Sequence, residues 1–512
     1  MLSFFDFIKQ SNGHLHEWLV LGKGPSFERH KTFDISQFKL MSLNHVVQKI
    51  QVDVAHIIDL DVVKDCEEAI YRNAKYLVMP WFPHVKNKPG KSSLEHLILS
   101  DSFLGKLDQE GRLLYYNHVK KHMHGMSPYV EVKFFSAEGA INILAMSGTK
   151  KIRTLGIDGG NTYANTFSDL NDKTLLSNGR ETFNKQFDQM AKIILKTGVD
   201  LAPLDVESPI NIYVAATEAQ MLSVKVLEYS IRKHASMSVN VLPLHLSGVE
   251  IPFPKNKENW PRTPFSFQRF LIPALQNYKG RAIYLDSDMQ VFKDIRLLWA
   301  QDMKGIPVIT AKHFEKNNRI PQFSVMLLNC EELNWKIEEI IDWLNDGTLD
   351  YKKLMYEMSI ANTMFAGLDA SWNSLERYEA GTTALIHYTD MNTQPWISTK
   401  NPLGYLWFRD LFEAIDRGFI TLEFIKSHVE QGFIRPSLLF QVEHKIEDSI
   451  LLPKYALELD KFFIAPYQSL PSAGKNKKVH FKAACRAYLR QVLKNHYLTR
   501  IKSKVINYLD KN

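Results

Sequence analysis

The sequence predicts an α/β protein of two doubly wound, Rossmann-like units followed by a basic, amphipathic helical tail. Three observations carry this. Short apolar runs alternate with helical stretches. The alternation stops at a proline-marked segment and then starts afresh. The final segment changes composition abruptly. At 512 residues the chain also exceeds what one hydrophobic core organises.

In residues 1–198, "HEWLVLGKGPSF" is a strand running into a Gly/Pro turn, and "VAHIIDLDVV" and "KYLVMPWF" read as further buried strands. "SAEGAINILAMSGTKKIRTLGIDGG" reads as a Ser-capped helix from Ser136, a stop at Gly148, and a strand through Leu155 to Asp158. "VDLAPLDVESPI", with Pro203 and Pro209, is the expected linker, 199–209. Residues 210–471 restart the count. "INIYVAAT", "VNVLPLHL", "RAIYL", "PQFSVMLLN" and "ALIHY" are strands; "EAQMLSVKVLEYSIRKHA", "FQRFLIPALQNY" and "WKIEEIIDWLNDG" are helices. In the tail, 472–512, Phe481, Cys485, Tyr488, Val492, Tyr497, Ile501, Val505 and Tyr508 recur every three to five residues among Lys and Arg.

Composition narrows the function classes. A hydrophobic fraction of 45% and a charged fraction of 23% are those of an ordinary globular protein. Cys66, Cys330 and Cys485 form no Cys-x-x-Cys pair, which argues against a disulfide framework or structural zinc and for a reducing compartment. "MLSFFDFIKQ" is no signal peptide, and no apolar run reaches the roughly 18 residues of a membrane span, so a cytoplasmic protein is expected. From Gly474 onward eleven Lys or Arg face one acid, Asp510; that +10 leaves −3 for the rest of the net +7. Basic character is confined to the tail.

The chemistry-bearing stretch is "RAIYLDSDMQVF". Residues i and i+2 of an extended segment share a face, so Asp286 and Asp288 project together from the carboxyl end of a buried strand. Ligands of α/β sheets bind at that edge. Two carboxylates there offer hard oxygens to Mn²⁺ or Mg²⁺, ions that bridge to phosphate. Yet Asp also ends strands simply by capping turns, and Asp59 and Asp61 have the same spacing. Without context the two pairs are equivalent, and Asp59 and Asp61 keep the strand-end reading.

Context distinguishes them. Over about residues 210–400 the chain resembles the family 8 retaining glycosyltransferases of the GT-A fold. The matching elements are "IYLDSDMQVFKDI", an upstream Arg269 in "FSFQRFLIPAL", a downstream "SVMLLN" ending in Asn329, the Trp372-Asn373 pair, and "LIHYTDMNTQPW". The resemblance implies a metal site of Asp286, Asp288 and His387 holding Mn²⁺ or Mg²⁺. It implies donor contacts from Ala215, Thr217, Arg269, Asp286, Ser287, Asn329 and Gln394, and catalytic roles for Arg269 and Glu357. On their own residues, His387 reads as a packed core histidine and Arg269 as a solvated helix charge. Two departures stand out: Asp390 and Gln394 occupy places where the family has Gly and Lys, and Glu357-Met358-Ser359 stands for its Asp-Gln-Asp.

In the first half, "VLGKGPSFERH" together with the "GID" segment resembles a Rossmann-like group. It includes the CMP-sialic-acid-dependent sialyltransferases and related motility-associated and pterin-diphosphate enzymes. The resemblance implies nucleotide contacts from Gly22, Gly24, Pro25, Ser26 and Asn44, with Ser136, Glu138 and Asp158 near the same pocket. His118, in "YYNHVKKHMH", reads either as a base or as part of a solvated helix face.

The expected activity is metal-dependent transfer of a sugar, with retention, from a nucleotide-diphosphate sugar to a glycan or lipid-linked acceptor in cell-surface polysaccharide synthesis. Two alternatives stay open: a bifunctional enzyme with a second, sialyltransferase-like site in the first half, and a non-catalytic glycan- or nucleotide-binding scaffold. The tail reads as a contact with an anionic membrane at the cytoplasmic face, each Lys or Arg contributing on the order of 1 kcal/mol, with Tyr488, Leu489, Tyr497 and Ile501 as its apolar face. Equally, that stripe packs on the protein body. No nucleic-acid partner is expected, since no recognised module accompanies the charge.

Overall fold

A computed structural model describes residues 1–173, 182–312 and 323–469; the expected tail helix, 472–512, lies outside the described residues. Among them the strands run β1 (Leu2–Ser3), β2 (Trp18–Leu21), β3 (Lys39–Leu43), β4 (Val52–His56), β5 (Ala74–Pro80), β6 (His84–Val85), β7 (Lys88–Pro89), β8 (Leu113–Tyr116), β9 (Lys151–Leu155) and β10 (Asp200–Pro203). They continue with β11 (Ile210–Ala215), β12 (Val239–Pro243), β13 (Arg281–Asp286), β14 (Met289–Val291), β15 (Val308–Ala311), β16 (Val325–Asn329), β17 (Met364–Leu368), β18 (Ser374–Leu375) and β19 (Leu385–His387).

The α/β expectation holds. The first sheet has eight strands in the order β1-β8-β5-β4-β3-β2-β9-β10. All its pairings are parallel. Parallel strands are covered on both faces and so are apolar on both. In "WLVL", Leu19 and Leu21 enter one core with Val46, Ile70 and Leu77; Trp18 and Val20 enter the other with Met41, Leu114 and Ile141. The second sheet has six strands, β12-β11-β13-β16-β15-β17, and is mixed because β16 runs antiparallel to β13 and β15. A three-stranded sheet, β14-β19-β18, continues from the end of β13.

Three expectations change. Residues 200–203, read as linker, form β10 and pair with β9. The "IIDLD" stretch is no strand end: β4 stops at His56, Asp59 is the N-cap position of the helix Leu60–Asn73, and Asp61 lies in its first turn. "FQRFLIPALQNY" is a 3₁₀ turn, Gln268–Leu271, before a short helix, Ile272–Leu275, in which Pro273 lacks the N–H a longer helix needs.

The two large sheets touch. Ser238, just before β12, donates its N–H to Leu201 O of β10 at 2.8 Å, and Arg296 lies 3.9 Å over the Phe187 ring. The helix Lys185–Thr197 packs on the helix Met221–His234. No helix among the described residues is long and apolar enough to cross a membrane.

The turn after β2 is set by chain contact. Gly22 N–H donates to Leu155 O and Gly24 N–H to Gly156 O, both at 2.8 Å. A Cβ on Gly22 would lie 2.2 Å from Gly156 O. Gly22→Ala is therefore expected to destabilise the fold by about 1–3 kcal/mol, the range for overpacking, read as a lower urea midpoint at unchanged m-value.

Candidate functional site

Asp286 ends β13, where Ala215 of β11 is its register partner. Ser287 and Asp288 form the bend into β14, which pairs antiparallel with β19 so that Met289 faces His387. The pairing is sealed by Tyr388 N–H donating to Asp288 O at 2.8 Å. His387 is thereby set beside both carboxylates: its Nε2 lies 3.1 Å from Asp288 Oδ1 and 4.0 Å from Asp286 Oδ2. One ligand atom from each of Asp286, Asp288 and His387 lies within 4.8 Å of the others, the only such group of three among the described residues.

Each member is held from behind. The Tyr284 hydroxyl donates to Asp286 Oδ1 at 2.5 Å, and Arg269 Nη2 stands 3.7 Å from the same oxygen. Gln394 Nε2 donates to Asp288 Oδ2 at 2.9 Å and to Tyr388 O at 3.0 Å. His387 Nδ1 lies 3.0 Å from Asn373 Oδ1, which fixes the proton on Nδ1 and leaves Nε2 facing the carboxylates. Burial pushes the His387 pKa down, but the carboxylates of Asp288, Asp286 and Glu376 together outweigh it and the net shift is upward. Burial, reinforced by Asp286, drives the Tyr284 phenol pKa well above its usual value, so it stays a donor.

The donor set fits a small divalent cation. Asp288 Oδ1 is buried and, among the described residues, meets no group but His387 Nε2, 3.1 Å away, so the two atoms converge on one point. Two carboxylate oxygens and an imidazole suit Mn²⁺ or Mg²⁺, and so few protein ligands leave room for phosphate oxygens.

The other expected donor residues divide. Ser287 is buried in the bend. Thr217 is tied by its N–H and hydroxyl to Gln220 Oε1 in a capping box just beyond β11. Gln394 meets Asp288 directly. Arg269 is buried, not solvated, stacks 4.5 Å over the Tyr284 ring and donates to Phe323 O at 2.8 Å. Asn329 is not brought to the site. It pairs with Arg281, at the opposite end of β13 and some 17 Å from Asp286 at ~3.4 Å per residue; its side chain caps the turn by accepting Glu331 N–H. Glu357 is exposed, follows the short helix Tyr351–Met355, pairs with Lys352 at 3.3 Å, and makes no bond to the triad. Met358 beside it is core. Asp390 caps its own turn through Asn392.

Sequence reasoning passed over Gln268, whose amide bonds both Ala216 N–H and Ala216 O and locks the turn bearing Arg269 to β11. It also passed over Tyr284, though the period of two in a strand puts Tyr284 on the face of Asp286.

In the first half Gly22, Gly24, Pro25, Ser26 and Asp158 come together. Asp158 accepts Ser26 N–H at 2.7 Å and the Ser26 hydroxyl at 2.5 Å. Asn44, in left-handed conformation, donates instead to Ser136 Oγ at 3.3 Å. Glu138 is fully buried and accepts the N–H groups of Lys133 and Phe134, organising the loop before its helix; Ser136 is the first helical residue, not the cap. His118 is not on a helix. Its Nε2 lies 3.1 Å from His84 Nε2, and burial lowers both pKa values, that of His84 to about 4. Asp59 and Asp61 accept backbone N–H groups of Asn87 and Lys86 and join no cluster of ligand atoms.

No family model matches the chain. Among curated proteins, Protein CDI of Arabidopsis thaliana is 31% identical over 94 residues, 18% of this chain and 36% of that protein; the match thus spans about a third of the relative's length. Solved structures similar over part of the chain are glycosyltransferases. GlyE of Streptococcus pneumoniae TIGR4 is 16% identical, with 40% of this chain and 60% of that one covered at a TM-score of 0.30. The galactosyltransferase LgtC with donor and acceptor sugar analogs is 12% identical over 41% and 96%, at 0.28. The bifunctional glycosyltransferase WbbM is 11% identical over 77% and 97%, at 0.29. At such values these neighbours transfer no residue roles to this chain.

Two outcomes are expected. Asp288→Ala abolishes Mn²⁺ binding measured by electron paramagnetic resonance of free Mn²⁺. Because His387 must give up a proton that Asp288 holds on it, binding tightens as pH rises through the raised His387 pKa, by up to about tenfold per unit below it. The slope vanishes in His387→Asn.

Proposed function

We propose that the second half is a metal-dependent glycosyltransferase. It moves a sugar from a nucleotide-diphosphate sugar to a glycan or lipid-linked acceptor, with retention at the anomeric carbon, in building a cell-surface polysaccharide. The observation that carries this is the convergence of Asp286, Asp288 and His387 at the carboxyl end of β13. A bound Mn²⁺ or Mg²⁺ supplies Lewis-acid stabilisation of the departing nucleoside diphosphate.

The protein's own share is positioning. Asp286 and Asp288 hold the ion, and His387 completes the set from β19. Arg269 orients Asp286 from beneath, its Nη2 3.7 Å from Oδ1. Ala215, which ends β11, and Thr217, just beyond it, lie where the nucleotide would rest beside Asp286. We assign residues 210–471 to this unit, 1–198 together with β10 to a second, Rossmann-like unit, and 472–512 to attachment at an anionic, cytoplasmic membrane face.

A bifunctional reading has one observation of its own. The neutral His84–His118 pair sits beyond the carboxyl ends of β5 and β8, at the ligand-binding edge of an all-parallel sheet.

The test uses purified full-length protein, Mn²⁺ and a panel of nucleotide sugars, with release of nucleoside diphosphate and of CMP measured in wild type, Asp288→Ala and Gly24→Val. Diphosphate release abolished by Asp288→Ala and kept by Gly24→Val is the expected result. CMP release lost only in Gly24→Val establishes the second site. No release and no calorimetric binding with any donor would leave a scaffold and sink both catalytic readings.

A further inference from the structure

Resting on the metal site just proposed, we infer that Gln394 and Tyr284 are positioning residues that select the ion by occupying one oxygen of each carboxylate. Asp286 has Oδ1 engaged by the Tyr284 hydroxyl at 2.5 Å and by Arg269 at 3.7 Å, so Oδ2 is the atom turned toward His387. Asp288 has Oδ2 engaged by Gln394 Nε2 at 2.9 Å, so Oδ1 is turned toward His387 and meets no other group among the described residues. The two carboxylates are thereby single-oxygen donors.

This pattern has a chemical consequence. Ca²⁺ takes about 6–8 oxygens at longer range and accepts two-oxygen carboxylates, whereas Mg²⁺ binds one carboxylate oxygen at a time at shorter range. A pair of carboxylates whose second oxygens are held elsewhere cannot supply the extra ligands Ca²⁺ requires. The site therefore discriminates for the small ion through neighbours that never touch it.

Gln394 is well placed to do this because it is itself fixed. Its Nε2 is shared between Asp288 Oδ2 and Tyr388 O. The following residues are clamped by buried Arg435, whose side-chain Nε donates to Pro395 O at 3.1 Å and whose backbone N–H donates to Trp396 O at 3.0 Å. Tyr284 is fully buried in one core of the second sheet, with Phe270 and Met326, which holds its hydroxyl against Asp286.

Two near-isosteric variants test the idea: Gln394→Met and Tyr284→Phe remove one donor each and keep the packing volume. Mn²⁺, Mg²⁺ and Ca²⁺ dissociation constants are measured by calorimetry on apo full-length protein, without donor sugar, alongside thermal melts. Each variant should weaken Mn²⁺ by roughly tenfold or more, as loss of an outer partner does. Ca²⁺ should weaken by less than about threefold, so the Ca²⁺/Mn²⁺ ratio of dissociation constants falls by at least about threefold. A general loosening of the fold weakens all three ions alike, and an unchanged ratio in both variants overturns the inference while leaving the metal site standing. Wild-type protein that binds no divalent ion overturns the inference and the metal-dependent reading together.

Discussion

The short antiparallel pairing of β14 with β19 is the contact on which the site depends. It is only three residues long, but it converts two carboxylates at the end of one strand into a three-ligand cluster. The pairing is itself supported. Gln290, in the middle of β14, is fully buried; it accepts from the Tyr388 hydroxyl at 2.7 Å and donates to Asp410 Oδ2 at 2.6 Å. Asp410 is held in turn by Lys233 at 2.9 Å. A buried polar network of this kind is costly unless satisfied, and here it ties the helices Met221–His234 and Gly404–Asp416 to the strand pair that carries His387.

From that anchor outward the same logic repeats: charged groups are buried only where a second group fixes their direction. Arg269 is a buried cation with a ring beneath it and Asp286 in front. Arg435 is a buried cation whose pKa burial lowers to about 10, surrounded by the oxygens of Pro395, Ser437 and Gln441. In the first half the half-buried Asp158 is likewise fixed by Ser26. These are the points at which each sheet's carboxyl edge is made rigid enough to present a ligand with a fixed set of atoms.

Much of the fold was legible because periodicity reports burial. Continuous runs such as "WLVL" and "VMLLN" state that both faces of a strand are covered, and the restart at Ile210 states that a second sheet begins. Boundaries near turns were less legible. "IIDLD" has apolar character suited to a strand end or a helix start, and only the neighbouring His84–Asn87 segment, which meets Asp59, makes it the latter. β10 was hidden for a similar reason, since prolines suit an edge strand as well as a linker.

The candidate site shows the same division. The sequence by itself determined that Asp286 and Asp288 leave a buried strand on one face, because side-chain direction in a strand has a period of two. It also determined the residue types available for a hard cation. The resemblance nominated His387, Asn329, Gln394 and Glu357 alike, since motif order carries no direction in space. Tertiary structure decided among them: β16 runs antiparallel and carries Asn329 away, β19 returns His387, and Gln394 turns inward to a carboxylate. Strand direction and long-range pairing come from how the sheets close on their cores, which local sequence does not encode.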